Sequence, residues 1–403
     1  MNPRLVRRLR LPLCLALAGA VLAAGGTRRV TDLAGRQVEL PDRVTRVACL
    51  AGTSYEKVLL LGQGAKVVLA APSNRLWAER VDPHRPEYTA MAHTQVPNLE
   101  DLLRRDLDVI FYRNSPPQLE RMSGLGLKPL VSLAFGGQRS RRVETPEAFT
   151  RIVEDEVRLY GEALGGDAPR AAADWIAYYE ARIKFVGDRV RDIPLAQRPR
   201  VYGVMGPSST QSYGQYENAP WYVELAGGRM VTRELTEGGG VSVSMEQILR
   251  WNPDMVFIGH SYLADSVSSY GLRVVTGDPR WQGVRAVQAG HVFGLPVGVD
   301  YWDRDSEGVL LMEYFAKQFY PDRFRDLDLA AEVRDYYARF YRCHLSPDEV
   351  AAILDGRVTG IQEAQRGDRE ARFRGRPLGL GLVLASLLAV LGLGSRRRRR
   401  LCA

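Results

Sequence analysis

Two short stretches place a carboxylate where a partner's guanidinium could reach it. Asn98-Leu99-Glu100-Asp101-Leu102-Leu103-Arg104 runs on into Arg105-Asp106-Leu107-Asp108-Val109-Ile110-Phe111. It aligns without a gap with Ser244-Met245-Glu246-Gln247-Ile248-Leu249-Arg250 and Trp251-Asn252-Pro253-Asp254-Met255-Val256-Phe257. Asn98 and Ser244 are good helix N-caps, so each glutamate falls in the first turn of a short helix. There Glu100 and Glu246 either offer their oxygens to arginine in a bidentate pair or merely favour the helix dipole. Each helix then turns at an aspartate into a buried, apolar strand. Two copies imply two lobes of similar architecture.

A second set of residues could hold a ligand. In parallel sheets, ligands bind beyond the C-terminal ends of the strands. Ser54 and Tyr55 follow the strand expected at 44–50; Tyr112, Arg113 and Asn114 follow the one ending at Phe111. Tyr213 and Tyr216 lie in the loop after Val204, His260 and Tyr262 follow Phe257, and Tyr301 and Trp302 occupy a further loop. Aromatic rings, an arginine and a histidine suit a bulky anionic metal chelate, by stacking on its faces and pairing with its charge. Taken singly, each of these residues reads more readily as ordinary loop or core; as a set they favour a cleft. His260 could bind a metal directly, but His84, His93, His260, His291 and His344 show no close ligand spacing, so no bare-metal site is expected. Nor is an enzyme expected: G-x-S-x-G, H-E-x-x-H and Walker A patterns are all missing from the sequence. Asp303 and Asp305 beside Trp302 read as solvated or capping acids.

The elements that must position these groups are strands alternating with helices on either side of one long helix. This alternation argues for parallel sheets in both halves. Trp175, Tyr179, Ile183, Val186 and Val190 recur at spacings of three and four, which places them on one helix face. The helix is expected over 167–192, about 25 residues and so roughly 37 Å long. Gly165-Gly166 precedes it, and Pro194 and Pro199 follow. A helix of that length between two α/β halves reads as a strut.

Composition bounds the rest. The chain of 403 residues has room for two ordinary domains, and its net charge of +8 is concentrated at its ends. Four arginines stand in the first ten residues, and ten face three acids from Glu363 onward, leaving −3 for the body. Nucleic acid is therefore not an expected partner. Residues 1–24, basic then apolar then small, read as an export signal. The expected layout continues with an N-terminal α/β lobe over 30–143, connecting helices over 144–198 and a C-terminal α/β lobe over 199–356. A charged stalk (357–376), an apolar segment (377–394) and a basic tail (395–403) complete it. Eighteen apolar residues span roughly 27 Å, just enough to cross a membrane, with the arginines held in the cytoplasm. The same layout also matches a sorting signal that is removed, although no LPxTG-type motif is present. Cys49 and Cys343, the two cysteines left in the exported body, read as separate buried thiols more readily than as a disulfide.

The chain resembles the substrate-binding proteins of bacterial ABC importers, the helical-connector class that serves iron-siderophore, haem and cobalamin uptake. The resemblance covers residues 31–356. It rests on Asp32-Leu33-Ala34-Gly35-Arg36, Asn98-Leu99-Glu100, Leu225-Ala226-Gly227-Gly228 and Val243-Ser244-Met245-Glu246-Gln247-Ile248-Leu249. Asn252-Pro253-Asp254, Trp281, Ala286-Val287 and Gly290-His291-Val292 complete the set. The resemblance implies two parallel-sheet, Rossmann-like lobes joined by a single long α-helix, with the ligand cleft between them. It implies that Glu100 and Glu246 dock onto arginines of a permease that works with its ATPase. It also implies an extracytoplasmic monomer, periplasmic or tethered by its C-terminal helix. No intrinsic cofactor is expected; the cargo would be an iron or other metal complex, first of all a ferric siderophore. Relatives that hold molybdate or tungstate point to an alternative, for which Arg113 and the amides of Gly52 to Ser54 would serve. A bare metal ion, or a sensory role without an importer, are the remaining alternatives.

Overall fold

The computed structural model describes residues 26–71, 77–84, 86–89, 94–132, 143–205, 208–214, 217–235, 239–259, 267–304 and 306–357, without the side chains of 267–271. The expected export signal, apolar C-terminal segment and basic tail lie outside these residues, as does nearly all of the expected stalk. Among the described residues no helix is long and apolar enough to cross a membrane.

An antiparallel pair, β1 (Thr27–Thr31) and β2 (Gln37–Pro41), opens the described chain. The first lobe follows as β3 (Val47–Cys49), α1 (Ser54–Leu60), β4 (Val67–Ala70), α2 (Ala78–Val81), β5 (Glu87–Tyr88), α3 (Leu99–Arg104), β6 (Val109–Tyr112), α4 (Pro116–Gly124) and β7 (Pro129–Val131). Its sheet has the order β5-β4-β3-β6-β7, with every pairing parallel. Two helices come next, α5 (Pro146–Leu164) and α6 (Ala168–Val190).

The second lobe contains β8 (Arg200–Val204), β9 (Gln211–Tyr213), α7 (Ala219–Leu225), β10 (Arg229–Met230), β11 (Gly240–Ser242), α8 (Met245–Trp251), β12 (Met255–Ile258), α9 (Val267–Thr276), α10 (Arg285–Gln288) and β13 (Val292–Gly294). Its sheet runs β11-β9-β8-β12-β13, with β10 beside the start of β8. The core strands are parallel, while β9 and β11 add an antiparallel edge. Helices α11 (Gly308–Phe319), α12 (Leu329–Tyr336) and α13 (Pro347–Leu354) close the described chain.

The duplication seen in the sequence is structural down to single hydrogen bonds. Asn98 and Ser244 each accept the amide three residues on, capping α3 and α8. Asp106 and Asn252, equivalent in the alignment, both adopt the left-handed conformation, with φ of 48° and 42°. These short polar residues tolerate that turn better than most. The next aspartate then clamps the neighbouring strand in each copy. Asp108 accepts from the amides of Thr45 and Arg46, and Asp254 from that of Arg200. Because so tight a turn links each helix to its strand, the helices run antiparallel to β6 and β12. Their N-termini, with Glu100 and Glu246, therefore lie at the end of each sheet where ligands bind.

Strand residues alternate between two environments, as the period of a strand requires. Ala48, Ile110 and Tyr112 join an outer core under α3 and α4, while Tyr202, Val204, Val256 and Ile258 join the equivalent one under α8. The opposite faces, Val47, Cys49, Val109 and Phe111 in one lobe and Val201 and Phe257 in the other, share a single continuous core with α5 and α6. Trp175 and Tyr179 of α6 are fully buried within it and stack with ring centroids 5.0 Å apart. Ile183 packs on its margin.

Helix α6 spans 23 residues, about 35 Å. Ala172, near its start, packs on Gly161 of α5, and Val190, at its end, packs on Gly227 of the second lobe. Its flank is held by Arg182, which bridges Glu313 of α11 and Glu332 of α12. Helix α5 lies beside it, from Phe149 against Trp221 and Tyr222 to Leu164, whose carbonyl accepts from Lys66. The segment 341–357 straps the lobes together again: Tyr341 donates to Glu56, Arg80 pairs with Glu349, and the Trp77 indole donates to the Arg357 carbonyl. Cys49 and Cys343 are separate buried thiols.

Lobes that share a core cannot swing apart without exposing it. Replacing Trp175 by alanine is expected to cost about 3–5 kcal/mol, the range for a fully buried aromatic. Urea unfolding measures this directly; a loss below about 1 kcal/mol would mean the strut is not integral to the core.

Candidate functional site

The turn Ala51-Gly52-Thr53-Ser54 sits on the ends of β3 and β6. The amides of Leu50 and Ala51 both donate to the Phe111 carbonyl, at 2.9 and 3.0 Å. Ser54, buried, donates its hydroxyl back to the Ala51 carbonyl at 2.6 Å and so stiffens the turn. Across from it stands Arg304 of the second lobe. Its Nη2 lies 3.3 Å from the point that a Cβ on Gly52 would occupy, so a side chain there would crowd the guanidinium.

Arg304 is held in place by its neighbours. Its amide donates to the Tyr301 carbonyl at 3.0 Å, and its carbonyl accepts from Asn218 Nδ2 at 2.9 Å. Asp303 is buried and accepts from the Tyr213 hydroxyl, which ties the loop to β9. A solvated or capping role, as expected for Asp303, is thus corrected: the tyrosine draws it inside. Gly259, at the end of β12, makes room for this pair, since a Cβ there would lie 1.5 Å from the Tyr213 hydroxyl oxygen.

Four of the aromatic candidates, Tyr55, Tyr112, Tyr213 and Trp302, are fully buried, while Tyr301 is half-buried. Tyr55 is fully buried and donates to Asp82; burial first, and that bond second, push its phenol well above its ordinary range. Tyr112 is buried and donates to the Gln95 carbonyl at 2.8 Å, and burial raises its phenol too. Arg113 is half-buried and donates to the Gln95 side chain. Trp302 is fully buried, and its indole N–H has no acceptor among the described residues. Tyr216, His260 and Tyr262 lie outside the described residues. Among those described, no group of three histidine, cysteine or acidic side chains could hold a metal ion.

Glu100 and Glu246 are both exposed. Glu100 pairs with Arg104 one turn on, at 2.9 Å, an exposed bond that exchanges easily for another guanidinium. The amide of Glu246 itself and the Ser244 side chain hold the Glu246 carboxyl below its ordinary range, so it stays charged.

Reading the sequence did not single out Arg304. The signal that could have found it was its place in the loop beside Tyr301 and Trp302.

Two parallel-sheet lobes joined by a helical connector match the two-lobe fold of periplasmic solute-binding proteins. The chain belongs to the periplasmic binding protein family, whose model matches residues 47–297. Members of this family are the exported solute-binding components of ABC importers and act with a permease.

Among individual relatives, the molybdate-binding protein MolA of Haemophilus influenzae is 27% identical over 358 residues, a match covering 84% of this chain and 97% of MolA. Solved structures agree on the fold. MolA bound to molybdate matches with a TM-score of 0.68 at 22% identity, over 79% of this chain and 99% of that one. A periplasmic solute-binding protein of Veillonella parvula gives 0.64 at 21%, over 82% and 97%. Helicobacter pylori CeuE with Ni(II) gives 0.63 at 18%, over 81% and 99%.

Proposed function

We propose that the protein captures a small metal oxyanion of the molybdate class between its lobes and delivers it to an ABC permease. The observation that carries the proposal is Arg304, a cation from the second lobe placed over the Gly52 turn of the first. A guanidinium facing a strand-end turn forms a compact receptor for a tetrahedral dianion, through charge-assisted hydrogen bonds. Arg113, half-buried after the neighbouring strand, and the amides of Gly52 and Thr53 in the turn are the further donors proposed for it. The molybdate-binding relative supports the same class. A ferric chelate is the second reading, favoured by a structural relative described as part of an Fe3+-hydroxamate transport system. Against it, the rings that would stack on a chelate, those of Tyr55, Tyr112, Tyr213 and Trp302, are fully buried.

In this proposal Glu100 and Glu246 are the docking carboxylates, one on each lobe. The apolar segment 377–394 would keep the body at the outer face of the cytoplasmic membrane if it is retained, which the mass of the mature protein measures.

A thermal-shift screen of the mature protein against molybdate, tungstate, ferric hydroxamate, haem, cobalamin and nickel tests the ligand class. A ligand at a hundredfold excess over its Kd adds about 2.7 kcal/mol, a shift of several degrees. The expected result is a shift with molybdate and tungstate alone.

A further inference from the structure

Five large apolar side chains stand exposed among the described residues: Val96, Leu103, Leu125, Leu195 and Leu249. Two of them, Leu103 and Leu249, occupy the same position of the duplicated motif, three residues beyond Glu100 and Glu246. Their exposures agree closely, at 45% and 43%. The preceding residues, Leu102 and Ile248, are the ones that face the core. Neither lobe's stability therefore calls for a leucine at the exposed position.

Residues three apart are neighbours on one helix face. Each lobe thus presents a carboxylate and an uncovered isobutyl group side by side, at the sheet end that holds the cleft. An arginine reaching such a carboxylate must lay its methylene stem on whatever stands next to it, and a leucine covers that stem well. Burying the leucine also removes water from around the ion pair, which strengthens the pair and shields it from salt.

We propose that Leu103 and Leu249 are docking residues, each forming with its glutamate one composite contact for an arginine of the permease. This rests on the proposal that Glu100 and Glu246 dock. The partner it fits is a surface with two arginines spaced to meet the two lobes, each rising beside an apolar patch.

The test is the affinity of the mature protein for its cognate permease–ATPase complex in nanodiscs, measured for the wild type, Leu103→Ser/Leu249→Ser, Leu103→Gln/Leu249→Gln and Glu100→Ala/Glu246→Ala. Both leucine pairs should keep the wild-type melting temperature and bind the permease about tenfold or more weakly, with a steeper loss as salt rises. As a control, Leu125→Ser/Leu195→Ser should bind as the wild type does. Wild-type affinity in both leucine pairs, with binding lost in the glutamate pair, would overturn the role of the leucines and leave the docking glutamates standing. Wild-type affinity in all the variants would overturn both.

Discussion

Replacing Glu100 and Glu246 together by alanine abolishes uptake while leaving ligand affinity unchanged. Both carboxylates are exposed and stand on the outer helices α3 and α8, apart from the Gly52 turn and Arg304. Their removal costs the fold little, because Asn98 and Ser244 still cap the two helices. What is lost is two charge-assisted pairs with the permease, each worth about 1.5–3 kcal/mol, so docking weakens on the order of a thousandfold. Each single variant should fall between wild type and double variant. The measurement is transport by reconstituted permease beside direct binding of ligand; normal transport by the double variant would remove the docking assignment.

Replacing Arg304 by methionine has the converse signature. Ligand affinity falls by about 2–4 kcal/mol, on the order of a hundredfold, since a buried anion then loses its charged partner. Permease affinity stays as in the wild type. Methionine keeps an unbranched stem, so the turn bonds made by the Arg304 backbone and the Asp303–Tyr213 pair are left in place. Stability measured beside affinity separates loss of the receptor from loss of the fold. Unchanged molybdate binding in this variant would exclude Arg304 from the site.

On the proposed function, these two variants divide the molecule into a receptor between the lobes and a docking face on each. The shared core links them. Because Phe111 and Tyr160 stack at 4.2 Å in one lobe and Phe257 packs on Phe315 at 5.1 Å in the other, the inner faces of both sheets are fixed to the same helices. The lobes are thereby kept in register, so that two glutamates on separate sheets can meet a partner together.

The sequence made some of this legible and hid the rest, for physical reasons. The paired motifs were visible because helix caps, left-handed turn residues and strand starts each demand particular side chains at fixed spacing. The buried face of α6 was visible because Trp175, Tyr179, Val186 and Val190 follow the helical period. Arg304 was not, since its proposed role arises from its approach to Gly52, which lies 252 positions away in the chain. The fate of the tyrosines was hidden for a related reason. An aromatic residue after a strand can point into a cleft or fold inward, and Asp82, Gln95 and Asp303, which decide this for Tyr55, Tyr112 and Tyr213, are remote in sequence. The antiparallel edge formed by β9 and β11 was likewise unmarked by any hairpin turn signal, because 26 residues separate Tyr213 from Gly240.

The central claim is that a small oxyanion binds between the lobes under Arg304. Calorimetric titration of the mature protein with sodium molybdate, run beside a ferric hydroxamate and repeated on Arg304→Met, tests it most directly. The account predicts one molybdate per chain, little heat from the ferric chelate, and loss of the molybdate isotherm in the variant. Tight binding of the ferric chelate, no response to molybdate and no effect of Arg304→Met would contradict it.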